Sequence, residues 1–397
     1  MIITNLKKNL KIMLLIFSSR NKKVLLENIF SVRQKIFPNI QHLSSAMKWL
    51  CYAQNISSCK GVAGFYSIEK NEWGAAYPET TGYIIPTFLD YYRLTNNEEF
   101  LKRAIDMAHW ESDIQLKNGA VQSGTVREKN ISPAVFNTGQ VIFGWTEAYR
   151  ETKNNNFLNS AIKAGNWLCD IQENDGSWLK GASSLVTNKL NTYNVRCSWA
   201  LADLYNLTKD KKYFTASRKN ALWTLSQQKE NGWFNNNDFS DNSQPFLHTI
   251  AYAIEGLLET GICLKEEIFI NMAQKAADIL LEKQNEDGFL YARYDKNWMP
   301  TVKYFCLTGN AQMAVIWFKL YQLNKENKYI SAAKNVNDLI KSTQNIQTND
   351  ENIYVAIMGS YPIWGGYETW HYLNWATKFF ADSLIFEEKL SRSIYIS

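Results

Sequence analysis

Ala161-Ile162-Lys163-Ala164-Gly165-Asn166-Trp167-Leu168, continuing into Gln172-Glu173-Asn174-Asp175-Gly176-Ser177-Trp178, decides the fold because it recurs. Related stretches run from Ala104 to Trp110 with Gln115 and Gly119, from Ala221 to Trp223 with Gln228 and Gly232-Trp233, and from Ala273 to Leu281 with Gln284 and Asp287-Gly288-Phe289. Fainter copies span Ala46 to Leu50 with Gln54 and Gly61, and Ala332 to Ile340 with Gln344. Successive glutamines lie 61, 57, 56, 56 and 60 residues apart. A near-constant period over six units marks a repeat architecture.

Between the repeats lies a second class of helix: Thr81–Arg93, Thr138–Arg150, Val195–Leu207, Thr249–Thr260, Thr308–Leu323 and Asn374–Phe386. These are apolar or small nearly all round, as in Gly139-Gln140-Val141-Ile142-Phe143-Gly144-Trp145, and such a helix is buried on most sides. The helices before each glutamine instead carry a polar stripe, with Lys102, Asp106 and Lys163. Six buried and six half-exposed helices predict an all-α (α/α)6 toroid, an inner ring jacketed by an outer one. A solenoid would need polar end caps, which the first and last units lack. Length alone suggests two or three domains. The repeat overrides it: residues 41–390 form one toroid, preceded by an amphipathic extension over residues 1–40.

Lys163 through Trp178 resembles the Gln-Trp repeat of squalene–hopene cyclases and protein prenyltransferase β-subunits, which are α-toroids. The expected physical role is a glutamine capping helix ends while the tryptophan packs over the next turn. The chain lacks the Asp-x-Asp-Asp run of the cyclases. Cys306 and His371 alone do not make the zinc site of the prenyltransferases, which needs at least three ligands. A terpene- or prenyl-processing enzyme is therefore the remote reading.

The chain also resembles bacterial toroid proteins encoded among polysaccharide-biosynthesis genes. The resemblance is carried by Tyr77-Pro78-Glu79-Thr80-Thr81-Gly82-Tyr83-Ile84-Ile85-Pro86-Thr87, Cys306-Leu307-Thr308-Gly309-Asn310-Ala311-Gln312 and Gly359-Ser360-Tyr361-Pro362-Ile363-Trp364-Gly365, with Leu373-Asn374-Trp375-Ala376. It implies a role in surface or exopolysaccharide metabolism.

Composition narrows the partners. Aromatic residues are 14% of the chain, more than a core requires, and surplus aromatics suit ligand grooves. A net charge of +5 with well-mixed signs is too weak to suggest nucleic acid or an anionic membrane surface. The six cysteines are scattered, which fits a reducing, cytoplasmic setting. A Cys51–Cys59 bridge is the alternative. No run is long enough for a membrane span; the apolar run Ile12–Phe17 is short and followed by no signal-cleavage pattern. Residues 1–40 could pack on the toroid or touch a polysaccharide-assembly complex. No phosphate-binding loop or metal cluster is visible, so no cofactor is expected.

The starts of the inner helices nearly all pair an aromatic with a polar group, and helix N-termini add N–H donors. There the candidate acid/base residues are Glu79, His248 and Tyr193. Glu79 could have a raised pKa if enclosed, or could only cap the helix. His248 titrates near neutrality but could equally be structural. Candidate substrate-binding residues are Tyr77, Asn137, Asn194, Arg196, Asp295, Trp364, Tyr367, Trp370, His371 and Asn374. Arg196 could clamp a carboxylate or sit in a buried ion pair. Asp295 stands in for the second carboxyl a glycosidase needs. These residue types suit an oligo- or polysaccharide, acted on by a hydrolase, a uronide lyase or an epimerase. A non-catalytic glycan-binding or assembly protein is the alternative.

Overall fold

The computed structural model describes residues 22–184, 186–240, 244–346 and 348–396. Its helices are, in chain order, α1 (Lys22–Ile29), α2 (Asn39–Ser57), α3 (Pro78–Thr95), α4 (Glu98–Asp113), α5 (Val135–Thr152), α6 (Asn155–Asp170), α7 (Val195–Thr208), α8 (Lys211–Gln227), α9 (Leu247–Leu264), α10 (Glu267–Glu282), α11 (Leu307–Asn324), α12 (Asn327–Lys341) and α13 (Asn374–Ile396). From α2 onward the even-numbered helices are outer and the odd-numbered ones inner. Each inner helix packs on the next, and α13 packs back on α3, so the inner ring closes. The ring also closes through its chain ends, because α2 packs against α13.

Sequence pattern explains the two rings. α5 buries most of its length, including Asn137, Thr138, Gln140 and Thr146, whereas α6 buries one stripe through Phe157, Ala161, Ala164 and Leu168. Lys102 and Lys163 face solvent from the outer ring. Inner helices approach one another closely. A Cβ on Gly309 of α11 would lie 2.8 Å from the backbone nitrogen of His248 in α9, so only glycine allows that contact.

Each of the first five inner helices turns into its outer partner within two residues. The first adopts the left-handed conformation (Asn96, Lys153, Lys209, Lys265 and Lys325, φ 55–61°) and the second caps the next helix. Asn97, Asn154 and Asp210 accept side-chain bonds from the backbone two residues on. The return connections are long. They gather at the opposite end of the ring, where every inner helix begins, and build one elaborated mouth. There β1 (Phe65–Ser67), β2 (Glu72–Trp73), β3 (Phe305–Cys306), β4 (Ser360–Tyr361) and β5 (His371–Leu373) tie the connections together. β2, β1 and β5 form one antiparallel sheet with Phe65 opposite Leu373, and β3 pairs with β4 with Phe305 opposite Tyr361.

The periodic glutamines hold the outer ring, and their role differs from the expected helix cap. Gln115 Nε2 donates to Gly119 O (2.8 Å) in its own turn and to Ser160 O (2.9 Å) in the middle of α6. Gln172 does the same with Gly176 and Ala216, Gln228 with Gly232 and Met272, and Gln284 with Gly288 and Ala332. Gln54 reaches Lys60 O and Arg103 O. A carbonyl already bonded within its helix keeps a second lone pair, so each glutamine can bind the next outer helix without breaking it. The capping falls to tryptophan: Trp178 Nε1 donates to Leu168 O (2.9 Å) in the last turn of α6.

Part of the extension folds onto the toroid. Val24 and Leu25 of α1 are buried, Asn28 accepts from Ile363 N (2.9 Å), and Gln34 N donates to Ser342 O (2.7 Å). The first outer helix, α2, begins at Asn39. The run Ile12–Phe17 lies outside the described residues. All six cysteines are free thiols, so Cys51 and Cys59 are not bridged. Among the described residues no helix is long and apolar enough to cross a membrane.

Candidate active site

The mouth narrows into a cavity of about 200 Å³ walled by Tyr77, Tyr83, Phe136, Tyr193, Phe239, Tyr252, Tyr367 and Trp375, with Glu79, Thr80, Asn137, Ser183, Val186, His248 and Glu368 also lining it. Six residues singled out from the sequence meet here: Glu79, His248, Tyr193, Tyr77, Asn137 and Tyr367.

Pro78 and Glu79 open α3, where proline costs nothing because the first turn has no N–H partner to lose. Glu79 accepts a hydrogen bond from the Tyr77 hydroxyl at 3.0 Å. Burial raises its carboxyl to about 7, against the weaker opposing pull of the Tyr77 bond and the Arg196 charge. Near neutral pH both its protonated and ionised forms are therefore accessible.

His248 stands in the first turn of α9, ringed by Tyr252 (centroids 4.3 Å apart) and Tyr367 (5.4 Å). Burial lowers its pKa to about 3, so the ring is neutral. Nδ1 faces Gln312 Oε1 at 2.8 Å and must donate, which leaves Nε2 as the acceptor. Tyr193 packs edge-on against Phe136 (5.2 Å) and Phe239 (5.8 Å). Its burial drives the phenol pKa upward, so the hydroxyl keeps its proton at neutral pH. Asn137 gives its amide to Gln122 O (2.9 Å), while its buried Oδ1 has no partner. The Tyr367 hydroxyl accepts from Trp375 Nε1 at 2.9 Å.

The other candidates lie elsewhere. Arg196 is buried deeper in the ring, where its guanidinium donates to Gln140 Oε1 (2.8 Å) and pairs with Glu255; it is the buried ion pair, turned away from the mouth cavity. Asp295 caps its own turn, accepting from Asn297 N (2.9 Å) and Met299 N (3.0 Å). Asn374 ties helix starts together through Ala63 O and Thr80 Oγ1. His371 stacks on Phe65 (4.3 Å) and pairs with Glu368 (3.1 Å). Trp370 is buried with Trp364 packed against it, and Asn194 is buried in the 3-10 turn before α7, so none of the three lines the cavity. Cys306 caps α11 through Gly309 N and does not meet His371.

Sequence reading missed Glu368, Tyr83 and Tyr252. Tyr83 and Tyr252 stand four residues after Glu79 and His248, one turn deeper on the same helix face, and that spacing was the available signal. Glu368 directly follows the aromatic loop Tyr361–Tyr367, which folds over the mouth. It brings a second carboxylate to the cavity of Glu79. No Lys or Arg lines this cavity among the described residues.

A closed ring of six helical hairpins with one aromatic-walled mouth defines an (α/α)6 toroid. No protein-family model matches the chain. No curated protein matches it. Solved structures do resemble it in fold. An unsaturated glucuronyl hydrolase specific for heparin aligns with a TM-score of 0.71 at 14% identity, over 89% of this chain and 97% of that one. The unsaturated glucuronyl hydrolase of Bacillus sp. GL1 gives 0.71 at 15% identity, over 89% and 97%. Cellobiose 2-epimerase from Bacillus thermoamylovorans gives 0.68 at 13% identity, over 87% and 98%. At such identities the likeness establishes the architecture.

Proposed function

We propose that this protein is a carbohydrate-active enzyme, a glycoside hydrolase that works on a bacterial surface polysaccharide or an intermediate of it. The observation that carries this is one aromatic-walled cavity holding Glu79, with a pKa of about 7, together with a second carboxylate, Glu368. Glycoside hydrolysis requires such a pair. Protonated Glu79 gives its proton to the leaving glycosidic oxygen. Glu368 takes the complementary role, as base on the incoming water or as nucleophile. The aromatic walls stack on sugar faces, and Asn137 Oδ1 and His248 Nε2 accept hydroxyl protons. The hydrolase and epimerase neighbours act on carbohydrates and support that chemistry. The uronate specificity of the glucuronyl hydrolases is not carried over: among the described residues no Lys or Arg lines this cavity, and Arg196 is occupied by Glu255.

Epimerisation is the second reading, favoured by the neutral imidazole of His248 set among tyrosines. Mass spectrometry of the producing organism's surface glycan after incubation separates the readings. Fragments that have each gained a water, absent with Glu79→Gln, are expected. Unchanged mass with deuterium uptake would make it an epimerase. Unsaturated fragments would make it a lyase. Binding without any change would make it a glycan-binding or assembly protein.

A further inference from the structure

The charge of this chain is unevenly placed. Residues 1–40 hold eight Lys and Arg against one Glu, a net of +7, while the whole chain carries only +5. The remaining 357 residues are therefore slightly acidic, with a net of −2. The toroid is nearly neutral, and the extension is a concentrated cationic segment.

The same segment exposes apolar surface. Leu26, Ile29, Phe30, Val32, Ile36 and Ile40 are all solvent-exposed, with Phe30 at 72%. Among the described residues only eight other large hydrophobics are exposed, and they are scattered from Ile56 to Leu323. On α1 the inward face uses Val24, Leu25 and Asn28 to grip the toroid. Leu26, Ile29 and Phe30, at spacings of three and four, form the opposite face. Lys22, Lys23 and Lys35 are exposed beside it. An outward apolar face flanked by basic residues is the pattern of a helix lying in the interface of an anionic bilayer.

We infer that residues 22–40 form a peripheral docking surface for an anionic lipid bilayer, with Phe30 and Ile29 entering the acyl boundary and Lys22, Lys23 and Lys35 meeting the headgroups. The inference does not depend on the reading of the mouth. A neutral apolar partner would gain nothing from the lysines, and a nucleic acid would gain nothing from Phe30; the bilayer interface uses both. The anchor is joined to the site: Asn28 holds the backbone of Ile363, in the loop that brings Tyr367 and Glu368 to the cavity.

The test is sedimentation of the full chain with vesicles of phosphatidylcholine alone or with one third phosphatidylglycerol. Binding is expected only to the anionic vesicles and should weaken as salt rises. Each basic residue near the surface contributes roughly fivefold in partitioning. Lys22→Glu/Lys23→Glu/Lys35→Glu should therefore weaken binding by at least about a hundredfold. Phe30→Ser/Ile29→Ser should weaken it about tenfold or more, since both side chains lose their burial in lipid. These side chains are exposed, so thermal melts of the variants should match the parent. Three results would overturn the inference: no binding to anionic vesicles at low salt, binding indifferent to Phe30→Ser/Ile29→Ser, or a concentration-dependent dimer that the same substitution abolishes. The second would make the segment a general polyanion binder, which single-stranded DNA as a competing probe would reveal.

Discussion

Gln344 and His42 stand 302 residues apart in sequence and meet across the seam of the ring. Gln344 Oε1 lies 2.5 Å from His42 Nδ1, and its Nε2 donates to Val355 O (2.7 Å) and His42 O (3.5 Å). His42 Nε2 accepts from Phe37 N at 3.0 Å, so Nδ1 carries the proton and the ring is neutral. This is the sixth glutamine link, and it joins the last outer helix to the first.

Gln344→Ala should therefore unfasten the seam. It removes three hydrogen bonds and leaves the buried Val355 carbonyl without its side-chain donor, at a cost of about 2–4 kcal/mol. Gln115→Ala, within the ring, should cost somewhat less, since Gln115 lacks the imidazole partner. Denaturant unfolding of the two variants measures the difference. Equal and negligible losses would mean the glutamine links follow helix packing rather than secure it.

Both buried histidines make the fold acid-sensitive. Burial lowers His42 and brings His248 to about 3 from the usual 6.5. The unfolded chain then binds more protons, so the stabilisation is full above pH 6.5 and is lost as pH falls toward 3. The loss is about 1.4 kcal/mol per pH unit for His248 alone. Unfolding free energies of the parent and of His248→Asn, measured from pH 7.5 to 4.5, should run parallel above pH 6.5 and differ in slope by about that amount below it.

Glu79 has the opposite sign. Its folded pKa, about 7, lies above the ordinary 4.5, so its contribution is largest below pH 4.5 and is lost as pH rises to 7. At pH 8 the ionised, enclosed carboxylate costs on the order of 3 kcal/mol. Glu79→Gln should hence raise the melting temperature at pH 8 while lowering glycan cleavage at least about 100-fold, the usual worth of a positioned general acid. Activity of the parent should decline above pH 7. Glu368→Gln, at an exposed position, should lose a similar factor with no change in melting. A variant active at either position removes that carboxyl from the mechanism.

The fold was legible because the period of the glutamines is set by helix and turn lengths, which sequence records directly. The site was legible only in part. Each inner helix start shows an aromatic beside a polar residue, but sequence does not show which of the two turns inward. At α3 both Tyr77 and Glu79 do; at α13 the polar Asn374 turns to the Ala63 carbonyl and the Thr80 hydroxyl, and Trp375 faces the cavity. Arg196 looked like a ligand clamp because its partner Glu255 lies on another helix, 59 residues away. Glu368 was hidden in an aromatic loop whose path depends on tertiary packing against β3.

Arg196 separates a structural from a ligand-binding reading. Burial would raise the Glu255 carboxyl, but the Arg196, Lys319 and Lys378 charges overcome it and hold it at about 2. Removing one member of such a buried pair leaves an uncompensated charge and costs about 3–5 kcal/mol. Arg196→Met should fall in that range, softened by Lys319, which keeps its bond to Glu255 at 3.0 Å. Arg196→Met/Glu255→Leu should recover much of the loss, because two matched apolar side chains need no partner. The KM of the surviving folded enzyme should stay within about twofold, since a group that does not touch substrate adds nothing to binding. A KM raised tenfold or more at unchanged stability would show instead that Arg196 reaches into the mouth and holds an anionic sugar.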